Sequence, residues 1–256
     1  MSLKSKLANL AGISDLSPTF TALYTISFFV QRLFDTNDER KKILSIVRDY
    51  THVNYARLRF LWDVAERVQE QNHSGAFVET GVWKGGCAGI LSHLSKKRAY
   101  KNALYFFDSF EGLPEPTEKD GLEASKLATG KNSGKLRAIQ KVSAGETYIR
   151  DLLFIKLQID ESKVHLVKGW FQDTLPIYKK KIGKISILRL DGDWYESTKV
   201  ALDNLYDCVV SGGYVVIDDY YFWDGCKKAV DDFILERKLQ VTIRRQDASG
   251  AYFIKP

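Results

Sequence analysis

A chain of 256 residues with 45% hydrophobic and 27% charged residues has the composition of a soluble globular protein, and is long enough for one large α/β domain with an extension. The net charge of +6 is mild, and its tight basic runs, Lys179-Lys180-Lys181 and Lys96-Lys97-Arg98, fall in no nucleic-acid-binding motif, so no nucleic-acid partner is expected. Three widely separated cysteines, Cys87, Cys208 and Cys226, offer neither a disulfide framework nor zinc spacing and are expected to be reduced thiols in a cytoplasmic protein.

Residues 1–74 read as a helical extension. The stretch TALYTISFFV at 21–30 is too short to span a bilayer and lacks the flanks of a signal peptide. It is expected to pack on the domain or on a second copy of the chain, which makes a homo-oligomer the expected state. The following run, ERKKILSIVRDYTHVNYARLRFLWDVAERVQEQ, carries apolar residues at helical spacing, Leu58, Leu61, Trp62, Ala65 and Val68 among them.

From residue 75 the texture changes. Strand-like runs recur at 76–80, 103–108, 164–169, 185–190, 213–219, 240–245 and 251–256, separated after each of the first five by helix-sized gaps. The first five are nearly continuous apolar runs, which suits parallel strands covered on both faces. The last two flank QDASG and suit an antiparallel hairpin. The expected fold is therefore α/β: a Rossmann-like, seven-stranded, mostly parallel sheet of the class I methyltransferase type, spanning 75–256. The stretch 114–150, rich in Gly, Lys, Ser and Thr, is the candidate lid.

Ligands of open parallel sheets bind at the carboxyl ends of the strands. The first run ends in VETGVWKGG, where glycines permit close backbone approach and Glu79 disfavours a pyrophosphate. A ligand with a sulfonium and an amine, such as S-adenosylmethionine, fits that acid. The second ends in Asp108, placed either to hold ribose hydroxyls or to cap a turn. After the third, Trp170 and Phe171 can stack on a purine or close the core. The fourth ends in Asp191 and the fifth in Asp218-Asp219, and neighbouring strands bring these tips together. Two carboxylates about 4 Å apart repel by roughly 4 kcal/mol near a protein surface. An all-oxygen set without His or Cys therefore favours a hard divalent ion, Mg²⁺ first, with Mn²⁺ or Ca²⁺ also suitable. Asp193 is expected either to orient its loop or to cap the helix beginning near Glu196. The four histidines, His52, His73, His93 and His165, lie off the strand tips and read as structural.

Taken together, VETGVWKGG, FDSFEGLPEP, VKGWFQDTLP, LRLDGDWYEST and GGYVVIDDY, followed by CKKAVDDF, resemble the macrocin O-methyltransferase (TylF/MycF/NovP-like) family, from about residue 76 to the C-terminus. The resemblance implies an S-adenosylmethionine- and Mg²⁺-dependent O-methyltransferase acting on a sugar hydroxyl of a natural product or glycoconjugate, with a small hydroxylated acceptor as its partner. It implies that Asp191, Asp218 and Asp219 hold the metal, with Asp191 also the general base. Glu79, Thr80, Gly81, Val82 and Trp83, with Asp108, Ser109, Gly169 and Trp170, are implied to lie along the cofactor. A catechol-type enzyme, or a cofactor-binding protein without turnover, are the alternatives.

Overall fold

The computed structural model describes residues 18–130, 136–139 and 142–256, with side chains from residue 25 onward. Three helices come first: α1 (Pro18–Leu33), α2 (Asp38–Val47) and α3 (Tyr55–Glu70). The alternating part follows as β1 (Ala76–Thr80), α4 (Gly86–Lys97), β2 (Leu104–Asp108), α5 (Gly121–Ser125), α6 (Glu146–Arg150), β3 (Val164–Lys168), α7 (Phe171–Ile182), β4 (Ile185–Leu190), α8 (Tyr195–Leu205), β5 (Val209–Ile217) and α9 (Asp224–Glu236). Strands β6 (Arg244–Arg245) and β7 (Ala251–Ile254) close the chain.

The sheet runs β3-β2-β1-β4-β5-β7-β6, with the first five strands parallel and β7 antiparallel to both neighbours. This is the expected class I methyltransferase arrangement. Its central strands β1 and β4 are buried at every position, because helices cover both faces. On one face Leu58, Leu61, Trp62, Ala65 and Val68 of α3 share a core with Phe77 and Ile187, together with residues of α2 and α4. On the other, Leu175, Ala201, Leu202, Val230 and Phe233 from α7, α8 and α9 pack against Val78, Leu188 and Val215. β3 departs from the expectation of two covered faces: it is an edge strand, and only Val167 is fully buried.

Three departures in the elements have physical causes. The run expected as one helix across residues 39–71 is broken. Val47 ends α2, a single 3₁₀ turn follows, and α3 restarts after Asn54, whose side chain accepts from the Arg57 N–H. β5 begins at Val209 rather than 213, crossing Gly212-Gly213 through an irregularity in its register with β4. The strand expected at 240–245 shortens to two residues, because Val241 and Ile243 pack on the core outside the ladder.

The order of the sheet sets the site. β1 has β2 on one side and β4 on the other, so the tips of β1, β4 and β5 form a continuous rim at the switch in chain direction. The candidate lid is tied down over its first part. Asp120 accepts from the Tyr195 N–H at 2.6 Å and the Trp194 indole donates to the Pro114 carbonyl at 2.8 Å. Residues 131–135, 140 and 141 of that segment lie outside the described residues, as do residues 1–17 of the expected extension.

Candidate active site

The tips of β1 and β4 approach so closely that only glycine fits. Gly81 has φ +85°, and a Cβ there would come within 1.9 Å of the Asp191 carbonyl oxygen. The β1–α4 loop is then fastened to β2: Asp108 accepts from the Val82 and Trp83 N–H groups at 2.8 and 2.9 Å, and from Phe110 at 2.7 Å. Asp108 thus acts as a turn cap, one of its two expected roles. Burial raises its pKa while these N–H groups pull it down. Oδ2 takes the Val82 and Trp83 N–H groups while Oδ1 takes only that of Phe110, so Oδ1 keeps an acceptor position for a ligand hydroxyl.

The rim opens into a cleft of two lobes. The smaller, about 90 Å³, is lined by Gly81, Trp83, Asp108, Ser109, Gly169, Trp170, Phe171 and Gln172 among others. The larger, about 740 Å³, runs between residues 50–57 and 218–224, with the β6–β7 turn as a third wall. Both lobes share Trp83, Leu113, Val142, Asp191 and Asp193. Of the residues expected along a cofactor, Gly81, Trp83, Asp108, Ser109, Gly169 and Trp170 line the small lobe. Glu79 and Val82 face the large one, and Thr80 is buried in the sheet, lining neither.

At the junction six carboxylates, Glu79, Asp191, Asp193, Asp218, Asp219 and Asp247, surround two guanidiniums, Arg57 and Arg189. Arg189 is buried inside β4 and donates to Glu79 at 2.6 Å, Asp191 at 2.8 Å and Asp218 at 2.5 Å. Arg57 reaches from α3 to Asp218 at 2.7 Å and Asp247 at 3.1 Å. The structure arranges the expected metal set differently. Both oxygens of Asp218 are taken by arginines, Oδ1 by Arg189 and Oδ2 by Arg57. The carboxylates whose oxygens lie within 4.8 Å of one another are Asp191, Asp193 and Asp219. The reason is local: Asp218 continues β5 by donating its N–H to the Leu190 carbonyl, which directs its side chain to the face covered by α3. Asp193 instead occupies a left-handed turn (φ +58°) that brings its Oδ1 to the Trp223 indole N–H at 2.8 Å. It does not cap α8, whose first N–H is taken by Asp120.

The electrostatics follow from that count. Burial, and next the charge of Asp191, push the Asp193 carboxyl up to about 8. Burial raises Asp219 well above the usual carboxylate range, with Asp193 and Asp218 adding to it. Asp191 is raised by burial and drawn back by Arg189. Glu79 rises to about 8 through burial, and its Oε2 is buried with no hydrogen-bond partner. Carboxylates outnumbering arginines in this way call for compensation by protons or by cations. The all-oxygen donor set at Asp191, Asp193 and Asp219 fits a hard divalent ion, and the unpartnered Glu79 oxygen fits a cationic ligand group.

The sequence of residues 31–255 matches the family model described as Macrocin-O-methyltransferase (TylF). The chain belongs to this family. It is therefore an O-methyltransferase, and family similarity starts well before residue 76, taking in α2 and α3. Among relatives, the chain is 32% identical over 205 residues to demethyldecarbamoylnovobiocin O-methyltransferase of Streptomyces niveus, covering 80% of this chain and 75% of that protein. It is 32% identical over 206 residues to 8-demethyl-8-(2,3-dimethoxy-alpha-L-rhamnosyl)-tetracenomycin-C 4'-O-methyltransferase of Streptomyces olivaceus, again 80% and 75%. The solved structure of the O-methyltransferase NovP superposes with a TM-score of 0.70 at 31% identity, over 80% of this chain and 82% of that one.

Within this macrocin O-methyltransferase family member, several cleft residues escape a reading of strand tips. The segment Tyr50–Asn54 enters the large lobe because the helix breaks there, and His52, read as structural, lies with its ring 4.2 Å from that of Trp83. Burial, and then Lys84, lower the His52 pKa. Asn54 as a helix-capping residue was the available signal for the break. Arg189 was signalled by its own oddity, an arginine in the otherwise apolar strand ISILRL. Arg57 had no sequence signal, since its partners lie 161 and 190 positions away. Among the described residues, no helix is long and apolar enough to cross a membrane.

Proposed function

We propose that the enzyme transfers the methyl group of S-adenosylmethionine to a sugar hydroxyl of a small natural product or glycoconjugate, with a divalent ion, Mg²⁺ first, at Asp191, Asp193 and Asp219. The observation that carries this reading is the pair of lobes meeting at those carboxylates. A donor with its adenosine end at the small lobe and its methionine end reaching past Asp191 and Asp193 into the large one meets an acceptor held in the large lobe. The relatives support the acceptor class, since their names place the methyl group on sugar-bearing molecules such as a rhamnosyl tetracenomycin.

Methyl transfer from a sulfonium needs an acceptor oxygen held close and in line. Glu79, on the large-lobe side with its Oε2 buried and unpartnered, is the acid offered to the donor's ammonium group, and Asp108 in the small lobe receives ribose hydroxyls beside its backbone contacts. A divalent ion at the three aspartates supplies the positive charge that makes a neighbouring hydroxyl more acidic. The proton then passes to a carboxylate. Asp191 was the expected base, but its Oδ2 is committed to Arg189 at 2.8 Å. Asp193, whose Oδ1 accepts from the Trp223 indole, lines both lobes beside Asp191 and is the alternative base. The exposed apolar side of α1 supports self-association of the enzyme.

The test is methylation of a panel of glycosides and catechols with S-adenosylmethionine, read by the mass of one added methyl. Activity on glycosides that disappears in excess chelator and returns with Mg²⁺ is expected. Full activity in chelator overturns the metal assignment. Turnover of catechols alone overturns the sugar acceptor, and cofactor binding without turnover of any acceptor overturns catalysis.

A further inference from the structure

The large lobe is acidic at its floor and changes character at its mouth. There Arg245 ends β6 just before the β6–β7 turn, and its guanidinium lies 3.6 Å from the centre of the Tyr221 ring. Its Nη1 donates to the backbone carbonyls of Asp247 and Ala248 at 3.1 and 3.4 Å. Tyr221 is itself tied to this turn, its N–H donating to the Ser249 carbonyl at 2.8 Å. Stacking and two carbonyl contacts hold the guanidinium plane, and Arg245 forms no ion pair among the described residues. The two arginines at the floor are ion-paired to carboxylates, and Lys227, which also lines the lobe, is held by Asp231. Arg245 is therefore an oriented, uncompensated cation with a free edge, beside the space assigned to the acceptor.

An oriented guanidinium fork matches a carboxylate or phosphate in two parallel hydrogen bonds, and an uncompensated one gains most from such a partner. We infer that the acceptor carries an oxyanion, a carboxylate or a phosphate, at a distance from the hydroxyl that reacts, and that Arg245 receives it. This separation lets one substrate present hydroxyls to the acidic floor and negative charge to the basic mouth. The inference rests on the large lobe being the acceptor site.

Three probes share one ring: methyl glucoside without charge, glucose 1-phosphate with a phosphate, and methyl glucuronoside with a carboxylate. Binding of each to the full chain with S-adenosylhomocysteine and Mg²⁺ is measured by calorimetry, alongside kcat/KM. At least one acidic probe is expected to bind about tenfold more tightly than the neutral one, with a preference that shrinks as salt is added. Which acidic probe is preferred identifies the oxyanion. Arg245→Gln is expected to remove the ratio of acidic to neutral binding, and Arg245→Lys, which keeps charge but not the fork, to retain part of it. Equal binding of all three probes by the natural chain, or an equal loss on all three in Arg245→Gln, overturns the inference. A charge preference in binding that Arg245→Gln removes, without turnover of any probe, supports the inference and counts against the proposed reaction instead.

Discussion

Asp193 shows how much one backbone angle decides. Its φ of +58° is uncommon outside glycine, and it turns the carboxylate away from α8 and into the junction of the two lobes. Asp193→Asn preserves shape and removes a carboxylate proposed as ion ligand and alternative base, so turnover is expected to fall by about 10²–10⁴-fold. S-adenosylhomocysteine affinity, measured by calorimetry, should stay within a few-fold. Asp191→Asn is expected to lose turnover as well, as the expected base and a member of the proposed ion site. A loss in Asp191→Asn with full turnover in Asp193→Asn would return the base to Asp191. Gly81→Ala tests the neighbouring constraint. A methyl group cannot fit 1.9 Å from the Asp191 carbonyl, and φ is +85°, so β1 and β4 must part at their tips. The expected result is a stability loss of about 1–3 kcal/mol with weakened cofactor binding, read by thermal melts with and without S-adenosylhomocysteine.

At the scale of elements, the three leading helices behave as part of the domain rather than as an appendage. Arg40 of α2 is buried and bridges Asp35 at 2.6 Å and Asp63 of α3 at 2.6 Å, while the Tyr55 hydroxyl donates to Asp35 at 2.7 Å. Burial alone would raise the Asp35 carboxyl, but hydrogen bonds from Arg40, Asn37 and Tyr55 hold it well below the usual carboxylate range. A carboxyl depressed in the folded state is protonated more readily in the unfolded one. Its contribution is therefore complete above its ordinary pKa and is lost as pH falls through that value toward the folded one. Asp35→Asn should lower stability at neutral pH by about 1–3 kcal/mol, because it leaves the buried Arg40 with Asp63 alone, and should flatten the acid limb of stability against pH in urea titrations. An unchanged acid limb would show that this network does not govern acid unfolding. The helix break at Thr51–Asn54 has the same standing: α2 and α3 pack on the sheet, and the break between them becomes a wall of the cleft.

For the whole molecule, the open question is what covers α1. Ile26, Phe29, Val30, Leu33 and Phe34 are exposed on the described chain, Leu33 and Phe34 at 77% and 78%. Apolar groups concentrated in this way mark an association surface. Sedimentation is expected to show a dimer or larger assembly, and Leu33→Glu with Phe34→Glu to shift it toward monomer; a natural chain that sediments as a monomer refutes this. The fold and the class of chemistry were legible in the sequence because they depend on local pattern. Buried strands read as apolar runs, glycine loops follow them, and Asp191, Asp218 and Asp219 stand at strand ends whatever the packing. Which carboxylates converge was not legible, because it turns on directions that pattern does not carry. Asp218 is drawn to Arg57 from 161 residues away, Asp193 is swung inward by a turn, and residues 50–54 reach the cleft through a break in a helical pattern. The sequence by itself determined the sheet, its order of tips and an acidic site at them. Only the tertiary structure decided the membership of that site, because charge compensation among buried groups is settled by three-dimensional neighbours rather than by positions along the chain.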